Sequence, residues 1–295
     1  MPNNLPLVSV LMTAFNRGKY IAEAIESVLQ STYTNFELII VDDCSTDDTF
    51  EIANSFFVKD RRIKLYKNEK NLGQFANRNY AISLSTGEYI KFLDSDDKLY
   101  AHGLQTMVNS MIAFPDAGFG VPCIENNRIQ LPYQLNPHDS VAKHYAGDNH
   151  LCYGPTGSIF KKNAIVQAGL FEDKYGILAD TLLNIKTASL YPTVFFERDL
   201  FYWRRHNEQV TEEQNDNVRM IRERNDIVNA SLAYAKLPLS ENEKVIIKNN
   251  FTKINTRHFF NYFIKGQFKN ALHVRKDTGL TLNKIFKAVF KTDTL

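Results

Sequence analysis

The sequence has few cysteines, glycines and prolines, and each scarcity excludes a class of protein. Its 295 residues include 3 Cys, 13 Gly and 9 Pro. Cys44, Cys123 and Cys152 lie far apart and form no CxxC pair, which argues against a disulfide framework and a cysteine-based zinc site. With 44% hydrophobic residues, collagen-like, low-complexity and disordered classes are excluded as well. The length suits one large or two modest domains.

Long hydrophobic runs are also missing. No stretch approaches the roughly 18 consecutive apolar residues of a membrane-spanning helix. The N-terminus has no basic segment, and its first apolar run, residues 7–12, has the length of a strand and not of a signal peptide. We therefore expect a soluble, cytoplasmic chain.

What the first hundred residues do contain is an alternation of two hydrophobic periods. Short β-rich runs predict strands at residues 7–12, 36–41, 63–66 and 88–93, and apolar stripes predict helices at 20–30, 47–57 and 74–84. Such βαβ units form a mainly parallel sheet flanked by helices. Right-handed crossovers bring the carboxyl ends of the strands to one edge, where ligands bind in α/β proteins.

The pattern loosens after about residue 104. Residues 117–160 predict short strands and loops, followed by a helix at 180–190 and a strand at 193–196. From residue 211 onward only helices are predicted, at 216–236, 240–264, 266–276 and 281–290.

Acidic residues follow the fourth predicted strand. Asp94, Asp96 and Asp97 place three carboxylates within four residues, and these repel one another unless a cation or several donors hold them. A divalent metal is a natural partner. The chain lacks GxxxxGK and GxGxxG, and Leu99 and Gln105 do not fit an EF-hand loop starting at Asp94.

Polar residues also follow the first two strands, at 13–17 and 42–49. For Ser45, Thr46 and Asp47, capping of the next helix is the simpler interpretation, because such side chains accept hydrogen bonds from free backbone N–H groups.

Several of these segments together resemble the family 2 glycosyltransferases of the GT-A fold. They are VSVLMTAFN (8–16), VDDCSTDDT (41–49), NLG (71–73) with ANRN (76–79), and TGEYIKFLDSDD (86–97). The resemblance covers about residues 5–210. It implies an inverting enzyme that takes a sugar from a nucleotide-sugar donor, UDP-linked by expectation, with Mn²⁺ or Mg²⁺ as cofactor.

Roles in donor binding follow from the resemblance by position. Asp96 would ligate the metal, and Asp94 would reach the ribose or a metal-bound water and is counted with the metal-site residues. The remaining nucleotide-binding positions would be Thr13, Phe15 and Asn16 around the base, Asp43 as an acceptor from the base, Arg78 and Arg204. A solvated helix residue is the alternative for Arg78. His206, in the segment YWRRHN (202–207), would be a further metal ligand, with an ordinary surface histidine as the alternative.

An inverting transfer also needs a carboxylate that takes the proton of the acceptor hydroxyl. The family places it after a turn that GLFED (169–173) matches here, and this implies Asp180 as the base. The usual Glu before it is Ala179 in this chain. A helix cap is the alternative for Asp180, and Glu172 and Asp173 are reserve candidates for the base.

The near-neutral charge of +2 hides a strong asymmetry. Residues 244–291 hold eleven Lys and Arg and one acid, Asp277, a balance of +10, whereas the rest of the chain holds 24 basic and 32 acidic residues, a balance of −8. Interleaved aromatic residues predict amphipathic helices with a basic face, which suit an anionic membrane surface. The alternative is a helical subdomain with solvated lysines. No recognition motif supports nucleic-acid binding.

The sequence thus predicts three parts: residues 1–105 for nucleotide-sugar binding, 106–210 for the acceptor and catalysis, and 211–295 as a helical extension. The expected acceptor is a glycan or lipid-linked saccharide, and the expected location is the cytoplasm or the inner face of a membrane. Two alternatives stay open: a non-catalytic nucleotide-sugar-binding or assembly protein, favoured by Ala179, and a metal-dependent phosphotransferase that uses Asp94 as nucleophile.

Overall fold

The computed structural model describes residues 5–123, 130–206 and 217–290. Its strands are β1 Val8–Ala14, β2 Phe36–Asp42, β3 Ile63–Lys67, β4 Tyr89–Phe92, β5 Lys98–Leu99, β6 Phe119–Pro122, β7 Tyr133–Leu135, β8 Ile159–Lys161, β9 Thr193–Phe196 and β10 Phe201–Tyr202. Its helices are α1 Gly18–Leu29, α2 Thr49–Phe57, α3 Gln74–Leu84, α4 Gly103–Ala113, α5 Pro137–Lys143, α6 Lys162–Ala168, α7 Ala179–Leu190, α8 Asn217–Leu232, α9 Glu241–Ile264, α10 Phe268–Asp277 and α11 Leu282–Phe290.

Eight of the strands form one sheet in the order β3-β2-β1-β4-β8-β6-β9-β7. The pairs β1–β2, β1–β4, β2–β3 and β6–β9 are parallel, and β7 and β8 run antiparallel to their neighbours. A short antiparallel pair, β5 and β10, lies apart from this sheet. The predicted α/β class with a mainly parallel sheet is confirmed.

Burial on both faces explains the sequence pattern of the first strands. Every residue of β2 and β4 is buried, and only Thr13 in β1 is partly exposed. Strands covered on both sides need continuous apolar runs and not an alternating pattern. Helix α1 buries one stripe that includes Ile21, Ile25 and Val28 against this core.

The prediction of strands and loops for residues 117–160 is wrong at α5. This helix begins with Pro137 at its first position, and the Asn136 side chain accepts a hydrogen bond from Asp139 N at 2.8 Å. An Asn cap followed by Pro is a recognised start signal for a helix, so the sequence did contain the information. Helix α4 is likewise missing from the predicted elements.

The described chain divides into two compact units. The first comprises Met1–Asp173 and Leu183–Arg205, and the second comprises Lys174–Leu182 and His206–Leu295. In the second unit, Ser240 and Glu243 form a reciprocal capping box at the start of α9. Asp216, where a helix was predicted to begin, lies outside the described residues, and α8 begins at Asn217. Among the described residues, no helix combines the length and the apolar character that crossing a bilayer requires.

Candidate functional site

The candidate site lies at the edge of the sheet where β1, β2 and β4 end. These strands are parallel neighbours, so the loops that follow them meet at the same edge. The loop after β4 is an acidic turn, defined here as Asp94–Asp97, and it is closed by a hydrogen bond from Asp97 N to the carbonyl of Asp94 at 2.9 Å.

Arginines face the carboxylates of the acidic turn. The Arg78 guanidinium lies 2.7 Å from Asp94 Oδ1, and Arg17 Nε lies 3.1 Å from Asp96 Oδ2. Arg78 is buried, so the structure excludes a solvated helix residue at this position. The repulsion between these carboxylates is thus offset by guanidinium groups of the chain itself.

Asp97 is the buried carboxylate of the turn and binds the segment that carries Arg204. Its Oδ1 accepts a hydrogen bond from Arg204 N at 3.0 Å, and Arg204 Nε donates to the Asp96 carbonyl at 2.9 Å. Burial, together with the negative charge of neighbouring Asp94, raises the pKa of Asp97 to about 7. Arg204 also lies over the Tyr20 ring, 5.1 Å from its centroid. Three arginines therefore converge on the acidic turn.

Asp43 follows β2 and is engaged by the chain itself. Its carboxylate accepts hydrogen bonds from Asn68 Nδ2 at 2.7 Å, Leu72 N at 2.9 Å and Gly73 N at 3.0 Å. A carboxylate has about four lone-pair positions, so about one is left for a ligand. Asp43 thus fixes the loop before α3, in addition to any role in contacting a nucleotide base.

Three further predicted nucleotide-binding residues lie at the end of β1. Thr13 is half-buried within the strand, and Phe15 has 43% of its surface exposed. Asn16 adopts a positive φ of 52°. Its Oδ1 accepts from Thr46 N at 2.9 Å, and its N donates to Ser45 Oγ at 2.9 Å. The loops after β1 and β2 are therefore bonded to each other, and an aromatic face is left exposed beside them.

Asp180 and His206 belong to the second compact unit, whereas the other predicted site residues belong to the first. Asp180 lies in the first turn of α7, and its Oδ1 accepts hydrogen bonds from Thr181 N at 2.5 Å and Thr181 Oγ1 at 3.3 Å. Of the reserve candidates, Glu172 is paired with Lys186 and Asp173 is exposed.

Sequence reasoning missed two cationic residues of the first unit. Arg17 lies in the loop after β1 and pairs with Asp96, a contact that the sequence pattern does not predict. Lys91 is fully buried in β4, and this burial lowers its pKa to about 7 although Asp94 and Asp97 act in the opposite direction. The position of Lys91 inside an otherwise apolar strand is the sequence signal that could have identified it.

The donor set of the acidic turn fits a metal that is shared with a phosphate ligand. Within the described residues, no three His, Cys, Asp or Glu side chains are grouped to hold a metal ion. Mg²⁺ is usually bound through one or two carboxylates together with substrate phosphates and water, and not in an all-protein cage. Asp94 and Asp96 supply two such carboxylates, with 33% and 12% of their side chains exposed.

Comparison with solved structures supports the fold. TarS residues 1–349 of S. aureus, solved in complex with UDP-GlcNAc, is 18% identical with a TM-score of 0.68, over 96% of this chain and 81% of that one. The mannosyltransferase PcManGT from Pyrobaculum calidifontis, solved with GDP-Man and Mn²⁺, is 16% identical with a TM-score of 0.65, over 96% and 78%. Both are GT-A glycosyltransferases, so the GT-A fold implied by the sequence is confirmed.

Sequence comparison gives the family. The E. coli UDP-Glc:alpha-D-GlcNAc-diphosphoundecaprenol beta-1,3-glucosyltransferase WfaP is 42% identical over 110 residues, which is 37% of this chain and 41% of that protein. The chain spans about half or less of the curated relatives it matches, 53%, 34% and 50% for three of them. The family model described as "Glycosyl transferase family 2" matches residues 9–171, more than half of the chain. This chain therefore belongs to glycosyl transferase family 2.

Proposed function

We propose that the chain is a metal-dependent, inverting glycosyltransferase that moves a sugar from a UDP-sugar to a saccharide or lipid-linked saccharide. The observation that carries the proposal is the convergence of Arg17, Arg78 and Arg204 on the acidic turn. Guanidinium groups are suited to bind a diphosphate, because they present several donors in a plane. The carboxylates beside them are suited to bind the divalent cation that accompanies a diphosphate.

Asp96 and Asp94 are the residues that would hold the divalent cation. When bound, Mn²⁺ or Mg²⁺ would supply Lewis-acid neutralisation of the departing diphosphate. Arg78 and Arg17 pair with the two carboxylates and orient them, and His206 is proposed as a further ligand. The Mn²⁺ in the complex of PcManGT supports this choice of metal.

The nucleotide and the acceptor are proposed from the relatives. TarS was solved with UDP-GlcNAc, and the E. coli relative is named for a UDP-Glc donor and a diphosphoundecaprenol-linked acceptor. We assign donor binding to residues 1–105 and the acceptor and catalysis to 106–210. In the donor half, Thr13, Phe15, Asn16 and Asp43 would contact the base, with Phe15 offering its exposed ring for stacking.

Asp180 is proposed as the general base that takes the proton of the acceptor hydroxyl. It carries this role without the usual Glu at its side, because position 179 is a buried Ala. Asp180 is half-buried, and its Oδ1 accepts hydrogen bonds from the backbone N and the hydroxyl of Thr181.

The test of donor binding is Asp96→Ala. Titration of UDP in the presence and absence of Mn²⁺ is expected to show metal-dependent binding in the wild type and its loss in the variant. The matched control is Asp60→Ala, which removes another arginine-paired carboxylate, 2.7 Å from Arg62. If Mn²⁺ changes the affinity for UDP in neither the wild type nor Asp96→Ala, the proposed metal site is wrong.

The test of catalysis is Asp180→Asn. This variant is expected to bind UDP as the wild type does and to lose transfer, because the amide cannot take a proton. Glu172→Gln, at the reserve candidate that is paired with Lys186, is compared in parallel and is expected to keep transfer. Transfer that persists in Asp180→Asn excludes this residue as the base. A wild type that binds UDP-sugars but neither transfers nor hydrolyses them favours a non-catalytic binding protein.

We further propose that residues 211–295 dock on the anionic inner face of a membrane, which gives the chain a peripheral cytoplasmic location. In the second unit, apolar side chains are exposed close to lysines at the junction of α9 and α10: Phe263 is 50% exposed, Ile264 80% and Phe268 55%. Lys265 and Lys269 flank them. Apolar side chains bordered by lysines suit the headgroup region of anionic lipids.

A further inference from the structure

Lys91 occupies a position where an ammonium group is rarely found. It lies in the middle of β4, pairs in register with Val10 of β1 and Ile159 of β8, and has 0% of its surface exposed. Lysine is almost never fully buried unless it has a partner, because its charged head loses hydration. The contacts of its Nζ atom therefore indicate what the residue does.

Those contacts lead to the acidic turn through one residue. Lys91 Nζ donates a hydrogen bond to the backbone carbonyl of Thr156. The hydroxyl of the same Thr156 accepts from Asp94 N at 3.1 Å and is hydrogen-bonded to the Asp97 carboxylate. Thr156 thus connects the lysine with both ends of the acidic turn.

A third segment also approaches the lysine. Its Nζ lies over the ring of Phe201, 5.5 Å from the centroid. Phe201 begins β10, which runs towards Arg204, the residue that binds Asp97 and the Asp96 carbonyl. Lys91 therefore lies at the meeting point of three segments: β4 with its acidic turn, the turn at Pro155–Gly157, and β10.

Stability alone does not explain a lysine at this position. An apolar side chain of similar length would fill the space without the desolvation cost of the amine, although it would leave the Thr156 carbonyl without this donor. Only a donor can bind the Thr156 carbonyl, and this donor acts in the protonated and the neutral amine alike.

We infer that Lys91 is a positioning residue for donor binding: through Thr156 it holds the backbone of the acidic turn in the conformation that binds the nucleotide diphosphate. The inference rests on the proposed function, since it concerns the same site. It adds a residue that does not itself touch the ligand, and it gives the turn at Pro155–Gly157 the role of a support for the donor site.

The experiment compares Lys91→Met with the wild type in two measurements, the thermal midpoint and the affinity for UDP in the presence of Mn²⁺. Methionine has nearly the same length and no donor. The expected result is UDP binding weakened about tenfold, equivalent to about 1.4 kcal/mol, with a thermal midpoint close to that of the wild type, because the loss of the hydrogen bond to the Thr156 carbonyl offsets the removal of the desolvated amine. Lys162→Met is the matched control, because Lys162 Nζ also donates to a backbone carbonyl, that of Ser85, but does so beyond the opposite end of β4.

Thr156→Val tests the same link from its other end and does not depend on the folding of Lys91→Met. It removes the hydroxyl that binds the acidic turn, and it is expected to weaken UDP binding by a similar factor. If the lysine acts through the threonine, the double variant binds about as weakly as either single variant, because the two changes break one chain of contacts.

Two results overturn the inference. One is a thermal midpoint that falls in Lys91→Met with UDP affinity unchanged, which is the outcome of a purely structural role. The other is a double variant whose loss of UDP-binding free energy equals the sum of the losses in Lys91→Met and Thr156→Val. If the wild type binds no UDP, the proposed function is contradicted together with this inference. If the wild type binds UDP and both single variants bind it equally tightly, the inference alone is contradicted.

Discussion

Glu37 is a buried carboxylate whose charge is expected to stabilise the sheet, and its removal is a quantitative test of the structure. It lies in β2 with 6% of its surface exposed. Its Oε1 accepts hydrogen bonds from Ser9 Oγ at 2.5 Å, Thr86 N at 2.6 Å and Thr86 Oγ1 at 2.9 Å. Its Oε2 lies 2.5 Å from Lys64 Nζ. One carboxylate thereby connects β1, β2, β3 and the turn before β4.

The size of the effect follows from the pKa. Burial alone would raise the pKa of Glu37, but the hydrogen bonds and the ion pair outweigh it and lower the pKa from 4.5 to about 2. Since one pKa unit corresponds to about 1.36 kcal/mol, the ionised carboxylate stabilises the fold by about 3 kcal/mol at pH 7. Because the folded-state pKa is the lower one, this stabilisation is complete above pH 4.5 and is lost as the pH falls towards 2. At pH 3.5 about 2 kcal/mol remains.

The perturbation is Glu37→Gln, and the assay is urea unfolding followed by circular dichroism between pH 7 and pH 3.5. The free energy of unfolding of the variant is expected to lie about 3 kcal/mol below that of the wild type at pH 7, and the gap is expected to narrow as the pH falls. Glu26→Gln, on the exposed face of α1, is the control and should change the free energy by less than about 0.5 kcal/mol. If the difference in free energy of unfolding between the wild type and Glu37→Gln stays constant across this pH range, the ionised Glu37 carboxylate does not stabilise the fold in this way.

Three further changes test other parts of the molecule. Arg78→Lys removes the planar donor group that lies 2.7 Å from Asp94 and should weaken UDP binding about tenfold in calorimetry, so an unchanged affinity would exclude a role for the guanidinium. Gly87→Ala would bring a Cβ to 2.6 Å from the backbone N of Ser9, and urea unfolding should show a loss of about 1–3 kcal/mol; wild-type stability would contradict the close approach. Phe263→Glu should reduce sedimentation of the protein with anionic lipid vesicles. Val166→Glu is the control, because Val166 is also 50% exposed, and it should leave sedimentation unchanged; equal effects of the two variants would argue against docking through α9.

The parts of the fold that sequence could predict are those with a strong local signal. Continuous apolar runs predicted β1 to β4 because strands buried on both faces need them, and α3 and β9 begin and end where the pattern indicated. The short helix α5 was missed because its seven residues are too few for a clear hydrophobic period, although its capping signal was present.

In the candidate site, the sequence indicated which loops converge but not what holds them. The parallel order of the strands determined that the residues after β1, β2 and β4 meet at one edge, and Asp94 and Asp96 led to the prediction of a metal site there. The functional roles of all the predicted site residues, Asp94 and Asp96 included, stay predictions.

The fold class, the family and the edge of the sheet where the polar residues gather therefore follow from the amino-acid sequence. The partners of those residues, in contrast, depend on how the strands and helices pack: Arg17 pairs with Asp96 from 79 residues away, and Thr156 binds Asp94 from 62 residues away. The same packing decides that Lys91 is buried and that Asp43 is engaged by the loop before α3. The physical reason is that hydrophobic periodicity records the environment of each residue along its own helix or strand, whereas an ion pair or hydrogen bond between distant segments depends on distances that exist only after the strands have packed.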